Sequence, residues 1–122
     1  MSTLTDLIDR YIATWNETDC GHRRALIART WTENARYFDP LVQGEGGDGI
    51  NAMIGSVQDR FPGHRFRRTG EVESHHDRVR FTWELASEDG ITVARGTDFG
   101  IVASDGRLES VSGFFDHARQ AG

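Results

Sequence analysis

The chain contains 122 residues and carries a formal net charge of −5. This length suits one core, so we expect a single domain over residues 1–122. The acidic balance argues against nucleic acid as a partner. No apolar run approaches the ~20 residues of a membrane span, and the N-terminus lacks a signal-peptide pattern. We therefore expect a cytoplasmic protein with no membrane partner.

The sequence carries few of the patterns that bind metals or cofactors. Its one cysteine, Cys20, cannot form an internal disulfide. The pair His75-His76 has no carboxylate or cysteine at ligand spacing, so an exposed turn explains it better than a metal site. No phosphate loop, dinucleotide fingerprint or Ser-His-Asp order is present. We expect a protein that works without a metal or a cofactor.

Apolar spacing predicts three helices in the first half of the chain. The first covers residues 3–17, and the second is short and reaches about Thr32. The third is expected to be capped by Asp48 and to end at Pro62-Gly63. Their apolar faces consist of Leu4, Leu7, Ile8, Tyr11, Ile12 and Trp15, then Ala25, Leu26, Ile27 and Trp31, then Ile50, Met53, Ile54, Val57 and Phe61.

The rest of the chain shows the alternation that is typical of β strands. A short strand covers residues 35–39, and Pro40 ends it because proline cannot donate to the ladder. The segment 43–49 contains four glycines and is expected to be a flexible connection. Asp89-Gly90 and Asp105-Gly106 predict hairpin turns. The longer strands are expected at about 64–73, 77–87, 91–103 and 107–116.

Helices followed by an antiparallel meander indicate an α+β fold. We expect a cone-shaped, curved antiparallel sheet whose concave face is covered by the three N-terminal helices. The space between the helices and the sheet would hold an apolar pocket with a few polar groups. The outer face of the sheet could accept a second copy of the chain, so we expect a homodimer.

Three acidic side chains stand where apolar residues are expected. Tyr11 lies on the apolar face of the first helix, Asp39 ends the first strand, and Asp98 interrupts a half-buried strand. A buried carboxylate without a partner is costly, so Asp98 must be protonated, paired or directed into a cavity. One base and two hydrogen-bond donors would suit proton transfer beside a carbonyl group.

Each of these residues also has a purely structural explanation. Tyr11 could lie at the edge of the core with its hydroxyl in water. Asp39 could cap the turn before Pro40, where aspartate is favoured. Asp98 could form a salt bridge with Arg95 or with an arginine on a neighbouring strand.

The order of elements resembles the nuclear-transport-factor-2-like fold, which includes the SnoaL-like polyketide cyclases and the ketosteroid isomerases. The resemblance covers nearly the whole chain. Three matches to the ketosteroid isomerases are sharper: Arg10-Tyr11-Ile12, Phe38-Asp39-Pro40, and Asp98 eight residues before Gly106-Arg107. The resemblance implies that Tyr11 is an oxyanion donor and Asp39 the general base. It also implies that Asp98 is a second donor, neutral at pH 7.

The same resemblance implies the residues of the pocket wall. Two supporting tyrosines of the family fall on Trp31 and near Ile54 in this chain. A pocket tryptophan of the family falls on Phe115, and Trp15 lies one turn after Tyr11. The side chains expected to contact the substrate are Trp15, Trp31, Ile54, Phe61 and Phe115.

These expectations favour a cofactor-independent isomerase or cyclase that acts on a small apolar ketone through an enol or enolate. Its partner would be a small apolar ligand that contains a carbonyl group. A hydratase or hydrolase on the same fold, with Asp39 or Asp98 activating water, is one alternative. A small-molecule-binding module without catalysis is the other, and a salt-bridged Asp98 with an exposed Tyr11 would favour it.

Overall fold

Three helices and six strands make up residues 3–116, which the computed structural model describes. This α+β arrangement confirms the fold class expected from the sequence. No helix in the described part of the chain is long and apolar enough to cross a membrane. The elements are α1 Leu4–Asn16, α2 Cys20–Thr30, β1 Trp31–Phe38, β2 Gln43–Glu45, α3 Gly46–Arg60, β3 Arg65–His75, β4 Arg78–Ala86, β5 Thr92–Val102 and β6 Leu108–Phe115.

The first helix is anchored at both ends. At its N-terminus Thr3 and Asp6 form a capping box, in which each side chain accepts a 3.0 Å hydrogen bond from the other's backbone N–H. At its C-terminus the Asn16 side chain donates to the Phe66 carbonyl at 2.9 Å and accepts from the Phe66 N–H at 2.8 Å. These bonds attach the end of α1 to β3.

The six strands form one sheet in the order β2-β1-β6-β5-β4-β3. Neighbouring strands are antiparallel except β1 and β6, which run parallel. The sheet is therefore antiparallel, as expected, except at this one pair. The chain leaves β1, passes through β2, α3 and the strands β3, β4 and β5, and returns as β6 beside β1 in the same direction. Register shifts in four of the strand pairs bend and twist the sheet.

Two boundaries differ from the sequence prediction around the first strand. The second helix ends at Thr30, and Trp31 begins β1 opposite Leu108 of β6. The segment that was expected to be a flexible connection forms β2, which pairs with β1. Gly44 lets β2 lie close to the start of α3, because a Cβ there would lie 3.1 Å from the Gly49 carbonyl oxygen.

The third helix starts earlier than expected, and Asp48 does not cap it. Glu45 occupies the N-cap position without a side-chain hydrogen bond to the helix. Asp48 lies in the first turn, where its charge suits the helix dipole, and pairs with Arg24 at 3.4 Å.

Arg23 holds the three helices together. Its buried guanidinium donates to Asn51 Oδ1 at 2.5 Å, to Gln58 Oε1 at 2.9 Å and to the Glu17 carbonyl at 2.8 Å. Its planar fork reaches acceptors in three directions, so one side chain of α2 joins the end of α1 to α3. The helices keep this arrangement over one face of the sheet.

The outer face of the sheet exposes aromatic side chains. Phe99 on β5 and Phe114 on β6 are 48% and 57% exposed, and their ring centroids are 6.3 Å apart. Phe38 on β1 lies in the same row as Phe99, with Ser112 between them. Exposed aromatic groups that form a patch mark interaction surfaces.

We propose that two copies of the chain pack through this aromatic face as a homodimer. Sedimentation at about 10 µM should then give twice the 13.7 kDa monomer mass. Phe99→Asp should shift the protein to the monomer, because it places a charge in the interface. Ile91→Asp is the control, since Ile91 is equally apolar and exposed but lies in the β4–β5 turn. A wild-type monomer would contradict the proposal.

Candidate active site

A pocket with a cavity volume of about 110 Å³ lies between the helices and the inner face of the sheet. Its wall is mostly aromatic and aliphatic. The side chains that can donate, accept or carry charge in this wall are Tyr11, Trp15, Tyr37, Asp39, Arg60, Trp83 and Asp98. Polar groups of this kind, placed singly in an apolar wall, orient a ligand rather than solvate it.

Asp98 lies in the buried part of this pocket and is 2% exposed. Its Oδ2 accepts a hydrogen bond from the Tyr11 hydroxyl at 2.6 Å, and its Oδ1 accepts one from Trp83 Nε1 at 2.9 Å. Trp83 can reach the carboxyl because it lies opposite Gly96, where a Cβ would lie 2.6 Å from Cε2 of the indole and closer still to Cζ2. Two neutral donors therefore hold a carboxyl group that is almost entirely buried.

The Asp98 carboxyl has no cationic partner within residues 3–116. Arg95, the first candidate for a salt bridge, lies instead 3.8 Å from Glu84. Residues 95 and 98 are three apart in a strand, so their side chains point to opposite faces of the sheet. The salt-bridge explanation of Asp98 is therefore wrong.

Burial raises the pKa of Asp98 from 3.8 to about 6. The bonds from Tyr11 and Trp83 oppose this rise, and the negative charge of Asp39 adds to it. A pKa of about 6 leaves the carboxyl largely ionised at pH 7. The resemblance implied that Asp98 is neutral at pH 7, and this state requires the pKa of Asp98 to rise further.

The ring of Tyr11 is held in place by aromatic neighbours. Its ring centroid lies 5.5 Å from that of Trp31 and 5.3 Å from that of Phe81, so the phenol is fully buried. Burial, followed by the charge of Asp98, raises the pKa of Tyr11 well above its ordinary value. Tyr11 therefore keeps its proton, and the explanation that places its hydroxyl in water is wrong.

Asp39 is held by three hydrogen bonds at the end of β1. Its Oδ1 accepts from the N–H groups of Leu41 and Val42 at 2.8 and 2.9 Å, and its Oδ2 accepts from the Tyr37 hydroxyl at 2.7 Å. Asp39 thus caps the turn that contains Pro40, as its structural explanation expected. It also lines the pocket, so capping and chemistry do not exclude each other.

Gly113 brings the two carboxyl groups to the same part of the sheet. It pairs with Asp98 on one side, and on the other it follows Ser112, the partner of Phe38. Because β1 and β6 run parallel, Asp39, the residue after Phe38, lies beside Gly113. A Cβ at Gly113 would lie 2.7 Å from Asp98 Oδ1 and 3.0 Å from the Tyr37 hydroxyl. The missing side chain leaves the space in which these groups meet.

The structure places three of the five predicted wall residues in the pocket. Trp15, Phe61 and Phe115 line it, whereas Trp31 and Ile54 are buried outside it. These two residues do not line the pocket, because Trp31 belongs to β1 and both side chains fill the core. Trp31 Nε1 has no hydrogen-bond partner within residues 3–116.

The hydrogen-bond partners Tyr37 and Trp83, which line the pocket, were not predicted from the sequence. Tyr37 is two residues before Asp39 on one strand, and that spacing places both side chains on the same face. Burial, followed by the charges of Asp98 and Asp39, raises the pKa of Tyr37, so its hydroxyl stays a donor. Trp83 gave no such signal, because its bond to Asp98 depends on the register between β4 and β5.

Solved structures with the same fold define the class to which this domain belongs. It has a TM-score of 0.72 to an NTF2-like protein from an Exiguobacterium species at 20% identity, covering 92% of this chain and 99% of the other. A protein from a Jannaschia species, described as a proposed SnoaL-like polyketide cyclase, has a TM-score of 0.68 at 18% identity, with 95% and 90% covered. These likenesses establish the NTF2-like fold.

One solved relative is much more similar in sequence. It is a protein from Agrobacterium tumefaciens, described as a proposed isomerase of the SnoaL-like family. It is 45% identical, with a TM-score of 0.90, and the match covers 95% of this chain and 99% of that one. The chain therefore belongs to the SnoaL-like family. No protein-family model matches the sequence, and no curated protein is significantly similar to it.

The raised pKa of Asp98 makes a prediction about stability. The group stabilises the fold fully below the unfolded pKa, near 3.8, and this contribution is lost as the pH rises through about 6. A rise from 3.8 to about 6 corresponds to ~3 kcal/mol. Asp98→Asn removes the charge, so it should unfold with similar free energy at about pH 4 and be more stable than wild type at about pH 8.

Urea unfolding of both proteins at the two pH values measures this difference. Glu84→Gln is a useful comparison, because Glu84 is a buried acid that does pair with arginines. That substitution should destabilise the protein modestly at about pH 8, because it removes the attraction between the carboxylate and two arginines that are themselves largely exposed. If Asp98→Asn behaved in the same way, the unpaired burial of Asp98 would be refuted.

Proposed function

We propose that this pocket catalyses cofactor-independent proton transfer beside the carbonyl group of a small apolar ketone, as an isomerase or cyclase. One observation carries the proposal: a buried carboxyl of raised pKa lies within hydrogen-bond distance of a phenol, beside a second carboxylate in an apolar pocket. Pairs of acids with different environments are typical of acid–base catalysis.

Asp39 is the base in this proposal. It would remove a proton from the carbon next to the ketone and return it at another carbon of the enolate. The hydrogen bonds from Leu41, Val42 and Tyr37 orient its carboxylate and leave a lone pair on Oδ2, which accepts only from Tyr37. A fixed carboxylate suits this task, because proton transfer requires the base within hydrogen-bond reach of the reacting carbon.

Tyr11 and Asp98 stabilise the enolate oxygen. When Asp98 is ionised, the Tyr11 hydroxyl donates its proton to the Asp98 carboxylate in a hydrogen bond, so it cannot donate to the ligand. When Asp98 is protonated, its O–H can donate to Tyr11 across the same 2.6 Å contact, which frees the phenol proton for the ligand. An apolar ligand that displaces water raises the pKa of Asp98 further. Binding therefore favours the protonated state that supplies the donor.

The size of the pocket limits the substrate. An enclosed cavity of about 150 Å³ takes up benzene. The cavity of about 110 Å³ in this protein therefore accommodates about one ring or a short branched chain. The reacting part of the substrate is a small group of that size, and a larger ligand would extend through the mouth.

Replacing the base should abolish turnover without abolishing binding. Asp39→Asn keeps the shape of the side chain and removes its basicity, so kcat should fall by ~10²–10⁴ with little change in KM. The absorbance change on conversion of cyclohex-3-enone to its conjugated isomer measures kcat and KM. Asp59→Asn is the control, because Asp59 is an exposed acid on α3. Equal activity of Asp39→Asn and wild type would remove Asp39 from the mechanism.

The protonation of Asp98 predicts the pH dependence of the reaction. If the neutral acid is needed, kcat/KM should fall as the pH rises through about 6, because deprotonation removes the donor. Asp98→Asn cannot lose a proton, so its kcat/KM should stay level over the same range. Its amide also donates toward Tyr11, and much of the activity should remain. A decline that persists in Asp98→Asn would assign the titration to another group.

Two features support an enzyme over a binding module without chemistry. Asp98 has no ion pair within residues 3–116, and Tyr11 is buried in contact with it. A pocket that only binds apolar molecules would be more stable with an uncharged side chain at Asp98. Burying the carboxyl costs stability at neutral pH, as its raised pKa shows.

A further inference from the structure

Arg60 is a cation in an otherwise apolar and acidic pocket wall. It lies in the last turn of α3, is exposed to solvent and lines the cavity beside Phe61. It is the one arginine or lysine in this wall, as far as residues 3–116 define it. No carboxylate of the described chain forms an ion pair with it.

The position of Arg60 at a helix end explains only part of this arrangement. A cation in the last turn stabilises the C-terminal end of the helix dipole. Arg29 fills that position in α2, where it is exposed and does not line the pocket. The helix needs a positive charge near its end, but it does not need that charge on the wall of a ligand cavity.

The charges of the pocket are separated along its depth. Asp98 lies at the buried end, whereas Leu41, which is 64% exposed, and Arg60 lie at the mouth. An anionic group of a ligand would be repelled by Asp98 at the buried end and attracted by the guanidinium at the mouth. A ligand with an apolar head and an anionic tail would therefore enter in one orientation.

The size of the cavity agrees with a ligand that has two parts. About 110 Å³ accommodates the head of such a ligand, and a tail would reach the mouth. A guanidinium binds a carboxylate with two parallel hydrogen bonds, which fixes the direction of the tail as well as its charge.

We propose that the substrate is a small ketone that carries a carboxylate, and that Arg60 binds this carboxylate at the mouth while the carbonyl group faces Tyr11 and Asp98. The inference rests on the proposed function, because it assumes that the carbonyl group binds at the buried end. Arg60 acts here as a specificity residue, since it contacts the part of the substrate that does not react.

A matched pair of probes tests the inference. The anionic probe is 3-benzoylpropanoate, and the neutral probe is its methyl ester, which has the same ring and ketone. Quenching of the fluorescence of Trp15 and Trp83, which line the pocket, reports the binding of both. The proteins to compare are wild type, Arg60→Gln, Arg60→Lys and the control Arg29→Gln, which removes a helix-end charge outside the pocket.

We expect wild type and Arg29→Gln to bind the acid about tenfold more tightly than the ester. In Arg60→Gln this preference should fall to about twofold or less, and Arg60→Lys should keep part of it because it retains the charge. The preference of wild type should also shrink at about 0.5 M salt. Ester affinity should be alike in all four proteins.

Equal binding of acid and ester to wild type would overturn the inference, and so would an equal loss of preference in Arg29→Gln and Arg60→Gln. In either case, ester binding that weakens in Asp98→Ala would leave the proposed function standing. Binding of neither probe at about 1 mM would overturn the ligand class. The isomerase proposal would then be judged by cyclohex-3-enone turnover alone.

Discussion

The hydrogen bonds that hold the buried carboxyl of Asp98 are the constraint on which the rest of the site depends. A carboxyl group removed from water needs donors, and Asp98 finds them in Tyr11 of α1 and Trp83 of β4. These residues are 87 and 15 positions away in the chain, so the bonds form only when the helix is docked and the two strands are in register. The geometry of the site and the packing of the fold are therefore set together.

Glycine controls this site by leaving space. Gly96 gives the Trp83 indole room to cross the neighbouring strand, and Gly113 gives Asp98 and Tyr37 room to approach each other. Glycine usually weakens a strand, because it has no side chain to pack and loses more entropy on folding. Here the strands that carry the chemistry contain glycines at the two positions where a side chain would collide with the site. The strands keep glycine at these positions although it lowers their stability, which supports a functional role for the space.

The pocket contains two carboxyl groups, each of which accepts a hydrogen bond from a phenol. The two carboxyl–phenol pairs differ in their surroundings. Asp39 is partly exposed and accepts bonds from two backbone amides and from Tyr37, whereas Asp98 is buried and accepts from side chains alone. Burial without amide donors raises the pKa of Asp98. Many NTF2-like proteins share this backbone at 20% identity or less, so the fold alone does not specify chemistry. The side chains that line the pocket specify the chemistry.

Local patterns in the sequence determined the α+β class, the three helices and most of the strands, because periodicity and turn residues act over short distances. They also singled out Tyr11, Asp39 and Asp98, since acidic groups on apolar faces are unusual. Only the tertiary structure decided that Trp83 bonds to Asp98, that Tyr37 bonds to Asp39 and that Trp31 and Ile54 lie outside the pocket. Strand register and helix docking depend on contacts between residues far apart in the chain, and no local pattern encodes which side chains these contacts bring together.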